Sequence, residues 1–151
     1  MIAKSNGSAV NSPFRYGNPT VDCGGAQLRA QCRHLATVIS ISGDVTDANV
    51  DALIERVRHY ILAEKPVILD LGDVRSFATD GVALFEAVDD LCDEAAVEWS
   101  LVASQSVSRV LRLRGDQGLV PIADSVPEAL HHFSDVMSER RQLLPILGKS
   151  A

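Results

Sequence analysis

The stretch LATVISISGDV sets Ile39 and Ile41 in alternation with Val38, Ser40 and Ser42. That period of two is what a strand with one buried face requires. AQLRAQCRH, just before it, reads as a partner strand, with Arg33 and His34 where the hairpin turns. The period then changes. Val50, Leu53, Ile54, Val57 and Ile61 recur at helical spacing, and Asp51, Glu55, Arg56 and Arg58 occupy the other side. A helix is predicted over about 47–63, capped by Thr46 or Asp47 and ended by Lys65-Pro66. VILDL at 67–71 is a short apolar run between breakers, the form of a central strand.

A polar loop then leads into a second helix. Leu84, Val88, Leu91 and Cys92 make its apolar face; Glu86, Asp89, Asp90, Asp93 and Glu94 make its polar one. VEWSLVAS predicts a fourth strand, SVSRVLRLRG a short helix with a basic outer side and Gly115 at its end, and LVPIADS a fifth strand. Ser125 caps a last helix, with Pro127 and Glu128 in its first turn, that runs to about Leu144 before Pro145 stops it. A hairpin followed by alternating helices and strands is the order of a single α/β domain. Its sheet is mixed but mostly parallel, with an N-terminal antiparallel hairpin and about four covering helices. The domain is expected over 27–135, after a disordered arm at 1–19 rich in Ser, Asn, Gly and Pro and before a helical extension and tail at 136–151.

Composition narrows the class. The chain has 151 residues, 46% of them hydrophobic and only 5% aromatic, so the core must be aliphatic. No run approaches the roughly 20 apolar residues that cross a bilayer, and the first residues lack a secretory signal. The expected location is therefore the cytoplasm, without membrane insertion. Cys23, Cys32 and Cys92 lack CxxC spacing and read as reduced thiols. From Asp44 to Glu98 fourteen acids face four bases, against a net charge of -6 for the whole chain. Such a segment repels phosphates and excludes nucleic acid as its partner. It reads either as a solvated acidic face or as a docking surface for a basic partner.

Catalytic and cofactor signatures are absent. There is no GxxxxGK[ST] and no GxGxxG, and Gly24-Gly25 and Gly43 build neither. His131-His132 lacks companion ligand spacing, so no metal is expected, and no cofactor either. A binding module, not an enzyme, is the expectation. Thr79, at the mouth of the second helix, has no base beside it to make it a nucleophile. Two uses stay open. Its hydroxyl, or the Asp80 carboxylate, can cap the helix, a bond worth about 1 kcal/mol. Alternatively it accepts a phosphate, which the helix N-terminus favours and the neighbouring Asp80 charge opposes.

The order and spacing of GDVTDANVDAL, VILDLGDVRSFATDGVALFEAV, SLVASQSVSRVLRLRG and DSVPEAL resemble the STAS domain of anti-sigma factor antagonists over about residues 27–135. Members are small bacterial switch proteins. The resemblance implies binding to a cytoplasmic anti-sigma factor, a kinase-like ATPase of the serine/threonine type. The sigma factor is thereby freed, until phosphorylation of the antagonist ends the complex. In the family the loop reads Asp-Ser-Ser/Thr-Gly, its first hydroxyl being the acceptor. Aligned on Gly81, Thr79 takes the acceptor position, Ala78 replaces the acid and Asp80 the second hydroxyl. The family's Gly-Glu-Leu-Asp appears as Gly43, Asp44, Val45 and Thr46, with Asp47 one step on. The implied partner surface comprises Asp44, Thr46, Asp47, Ala78, Asp80, Gly81 and Glu86 on the acidic side of the first two helices. Self-association is left open. The alternative within the family is an accessory subunit of a membrane transporter, such as a lipid ABC transporter, without a phospho-switch.

Overall fold

A computed structural model describes residues 20–62, 64–115, 118 and 120–137. The expected arm at 1–19 and the tail beyond Met137, with the continuation of the last helix to Leu144, lie outside them. The sheet opens on the glycine pair. Val21–Asp22 (β1) and Ala26–Cys32 (β2) run antiparallel around Gly24 and Gly25, both at positive φ. β1 is a two-residue edge strand that the sequence pattern missed, because two residues are too short to show a period. β2 pairs antiparallel with Thr37–Val45 (β3), and the hairpin closes where expected, through Arg33 N donating to Ala36 O at 2.9 Å.

The parallel part follows in chain order. Val50–Tyr60 (α1) leads to Val67–Phe77 (β4), a 3-10 turn at Thr79–Gly81 to Val82–Ala95 (α2), then Trp99–Ala103 (β5), Gln105–Arg114 (α3), Ile122–Ala123 (β6) and a helix over 126–137 (α4). Among the described residues six strands lie in sequential order, with β3 to β6 mutually parallel. Right-handed crossovers between sequential neighbours put the connecting helices on one face. Accordingly, Leu53 and Val57 of α1, Leu84 and Val88 of α2, and Val107 and Leu111 of α3 share one core with Ile39, Ile41, Leu69 and Leu101. Alternate strand residues Val38, Ile68 and Val102 point the other way and meet Ala129 and Phe133 of α4. Ser125 Oγ accepts from Glu128 N at 3.2 Å, the cap the sequence predicts for α4.

Besides β1, three elements differ from expectation: of the expected strand LVPIADS only Ile122–Ala123 pairs, at the sheet's edge. β4 has 11 residues where the apolar run suggested five. Its first half is central, paired with β3 and β5. From Asp73 to Phe77 it pairs with β3 alone, so Val74 and Phe77 are buried while Asp73, Arg75 and Ser76 stay exposed. Water on the free side makes a polar sequence tolerable there, which is why it read as a loop. α1 is shorter than 47–63. Residues 46–49 form a tight turn in which Thr46 Oγ1 accepts from the Ala48 and Asn49 amides, both at 3.2 Å. At the other end Ile61 is already extended.

Candidate functional site

Parallel pairing brings the carboxyl ends of β3 and β4 together, and with them the two loops that carry most of the predicted site. Val45 is in register with Phe77, and Ala78 N donates to Val45 O at 2.8 Å, so the chain leaves both strands side by side. Asp44, Thr46 and Asp47 lie on the first exit; Ala78, Thr79, Asp80 and Gly81 lie on the second. In open α/β sheets this edge is where ligands and partners are met.

The second exit is held by its glycine. Gly81 has an ordinary helical φ of -61°, so conformational freedom is not why glycine stands there. A Cβ on it would lie 2.6 Å from Phe77 Cζ. The Phe77 ring is itself fixed against Phe85, with centroids 5.4 Å apart and planes 15° from parallel. Stacked aromatics thus press on the backbone at the foot of α2 and hold the Ala78–Gly81 turn, closed by Gly81 N donating to Ala78 O at 2.8 Å. Thr79 and Asp80 are exposed on it. Neither start, of the 3-10 turn or of α2, carries a side-chain capping hydrogen bond. The capping role considered for Thr79 or Asp80 is therefore not the one they play.

The first exit is held by Asn49, which the sequence reading passed over. It is 3% exposed, and its amide satisfies three backbone groups. Oδ1 accepts from Thr46 N at 2.8 Å; Nδ2 donates to Asp44 O at 2.8 Å and to Gly24 O at 3.0 Å. One side chain so ties the β1–β2 glycine turn, the end of β3 and the start of α1. Gly43 completes the arrangement: its φ is +93°, and a Cβ there would meet Gly25 O at 2.6 Å. The glycines have structural duties: Gly43 allows backbone to pack on backbone, and Gly24 and Gly25 supply the positive φ of the turn, +62° and +102°. The signal available in sequence was an Asn just before an apolar helical repeat, with Gly-Gly upstream.

Asp44 faces β4. Its carboxylate accepts from Ser76 Oγ at 2.8 Å and from Arg75 Nη2 at 3.3 Å, an exposed pair that crosses from one exit to the other. Ser106 Oγ of α3 donates to Arg75 O at 2.7 Å, fixing the same segment from the far side. Glu86 stands apart from the two exits, exposed on the second turn of α2. There it lines a groove of about 210 Å³ with Val82, Phe85, Trp99 and Leu111. Asp89 in this groove accepts from Trp99 Nε1 at 3.0 Å.

The other chemistry-bearing residues lie elsewhere. His59 is on α1 with Nδ1 at 2.7 Å from Glu55 O, His131 and His132 are on α4, and His34 is in the β2–β3 turn. Burial raises the Cys23 thiol and pushes that of Cys92 up to about 12, with Asp89 adding to the second shift. Neither forms a thiolate at neutral pH. Cys32, at the end of β2, is exposed. Iodoacetamide at pH 7.5 is expected to alkylate Cys32 alone in the folded protein, read as a single mass adduct. Rapid labelling at Cys23 or Cys92 would contradict the placement.

Among the described residues no helix is long and apolar enough to cross a membrane. The family model described as the STAS domain matches residues 27–129. Osmosensory protein A of Mycobacterium tuberculosis is 44% identical over 149 residues, covering 95% of this chain and 94% of that protein. The crystal structure of an anti-sigma factor antagonist from Mycobacterium paratuberculosis superposes with a TM-score of 0.62 at 18% identity, covering 72% of this chain and 94% of that one. The anti-sigma factor antagonist SpoIIAA in its unphosphorylated form gives 0.58 at 14% identity, over 72% and 96%.

Proposed function

Because this chain belongs to the STAS domain family, we propose that it is an anti-sigma factor antagonist. In this reading its carboxyl-edge loops dock a kinase-type anti-sigma ATPase, and phosphorylation of Thr79 ends the complex. The observation that carries the reading is the position of Thr79. It is exposed at the meeting of two strand exits, on a turn fixed by the Phe77–Gly81 contact, and its hydroxyl is not engaged in capping. A hydroxyl exposed on a turn is open to a kinase without unfolding of the domain. Asp44, Thr46, Asp47, Ala78 and Asp80 form the surface around it, and Glu86 extends it along α2; Gly81, expected on that surface, is buried beneath the turn against Phe77 and supports it from within.

A phosphate at Thr79 adds nearly two negative charges where the complex must exclude water, an effect that dissociates rather than reshapes. Asp80 keeps one charge there permanently. It lowers the contrast between the two states and opposes modification of its neighbour. The relative's name points to osmotic stress as the stimulus, and we extend that to this chain as part of the proposal. The protein performs no catalysis in this reading.

The test is to incubate the protein with the anti-sigma ATPases of its own genome and ATP, then map phosphate by mass spectrometry. Label on Thr79 is expected, and Asp80→Ser is expected to raise the initial rate several-fold. Labelling elsewhere only, or none with any of these kinases, would remove the switch from the account. An unchanged rate in Asp80→Ser would show that the carboxylate does not hinder the kinase.

A further inference from the structure

The outer sides of α2 and α3 carry opposite charge. α2 contributes Glu86, Asp89, Asp90, Asp93 and Glu94 and no base; α3 contributes Arg109, Arg112 and Arg114 and no acid. Between α1 and α2 lies a groove of about 440 Å³ lined by Arg58, Ala87, Asp90, Leu91, Asp93 and Glu94. Its one base, Arg58, shares its charge with the Glu55 carboxylate, 3.6 Å from Nε on the same helix. The groove therefore offers two aliphatic side chains among three carboxylates. On α3, Leu113 is 80% exposed. Arg109 has Arg112 and Leu113 one turn further on, so these three residues form a single patch. An aliphatic knob between two guanidinium groups matches an aliphatic floor between carboxylates.

We infer that α3 of one copy of this chain docks in the α1–α2 groove of a second copy. Leu113 lies against Ala87 and Leu91, and Arg109 and Arg112 face Asp90, Asp93 and Glu94. The two halves are different surfaces of one molecule, so the contact is head-to-tail and leaves a free patch at one end and a free groove at the other. It uses α2 from Ala87 to Glu94 and leaves the Thr79 turn uncovered, so it stands whether or not Thr79 is phosphorylated. Exposed charges hold it together, so ionic strength controls it. The screening length is about 30 Å at 0.01 M salt and about 3 Å at 1 M.

Sedimentation of the full chain at those two salt concentrations tests the inference. At low salt the weight-average mass is expected to climb above the 16.2 kDa monomer as protein concentration rises, and at high salt to return to it. Leu113→Asp is expected to weaken association at least tenfold. Arg112→Glu removes the patch and keeps the groove; Asp93→Arg does the reverse. Each variant alone is expected to be monomeric, and their mixture to stop at a dimer. Three results would overturn the proposal: a wild-type chain that stays monomeric at low salt up to about 1 mM, association indifferent to Leu113→Asp, or a variant mixture that does not pair. Circular dichroism and melting curves of the variants separate lost contact from lost fold.

Discussion

Asn49→Ala is expected to lower stability by about 3 kcal/mol, which for a chain of this size displaces the melting midpoint by roughly 6–12 °C. The substitution removes three hydrogen bonds at once and leaves Thr46 N, Asp44 O and Gly24 O without the partner that now serves them. A buried group stranded in this way costs about 1–3 kcal/mol, and some of the three will recover water because they border the loop. Asn49→Asp separates the components. It keeps an acceptor for Thr46 N but turns a buried carboxylate oxygen toward Asp44 O and Gly24 O, so it should be at least as destabilising as alanine. Urea denaturation of the three proteins is the measurement. A loss under 1 kcal/mol in Asn49→Ala would mean that water replaces the amide and that the first exit is not held by this residue.

Gly81→Ala is expected to cost about 1–3 kcal/mol although its backbone is helical and alanine is the better helix former. The added methyl overlaps Phe77 Cζ, which cannot retreat because Phe85 stacks behind it. If that overlap is the cause, shrinking the ring should relieve it. The double variant Gly81→Ala/Phe77→Leu should then be more stable than the sum of the two single losses predicts, by about 0.5–3 kcal/mol of coupling. Additive losses would place the cost of Gly81→Ala elsewhere. The turn that presents Thr79 is the segment displaced, so partner binding should weaken in Gly81→Ala and recover with the second substitution.

These two residues also show where sequence reasoning ends. The alternating period of β3 and the amphipathic stripes of α1 and α2 were readable because burial of one face leaves a regular mark. Leu53, Val57, Leu84, Val88 and Cys92 are all buried as the pattern demands. Ser125 and Gly115 were readable because caps obey local chemistry. Nothing periodic marks Asn49, whose three partners lie up to 25 residues away in the chain. The need for glycine at position 81 is set by the Phe77 ring across a turn, not by its own φ. The second half of β4 was hidden for a related reason, since pairing on one side only lets Asp73, Arg75 and Ser76 remain in water. For the site, the sequence placed Thr79 at a helix mouth. It could not separate a cap from a presented hydroxyl, because that difference is one hydrogen bond.

In the proposed function Thr79 is the switch of a docking surface. Its most direct test is the affinity of the purified protein for the anti-sigma ATPase that labels it, measured by calorimetry for wild type, Thr79→Ala, Thr79→Glu and the Thr79-phosphorylated form. Wild type and Thr79→Ala are expected to bind alike, the phosphorylated form at least tenfold more weakly, and Thr79→Glu between them. Equal affinity of the phosphorylated and unmodified proteins would contradict the proposed function.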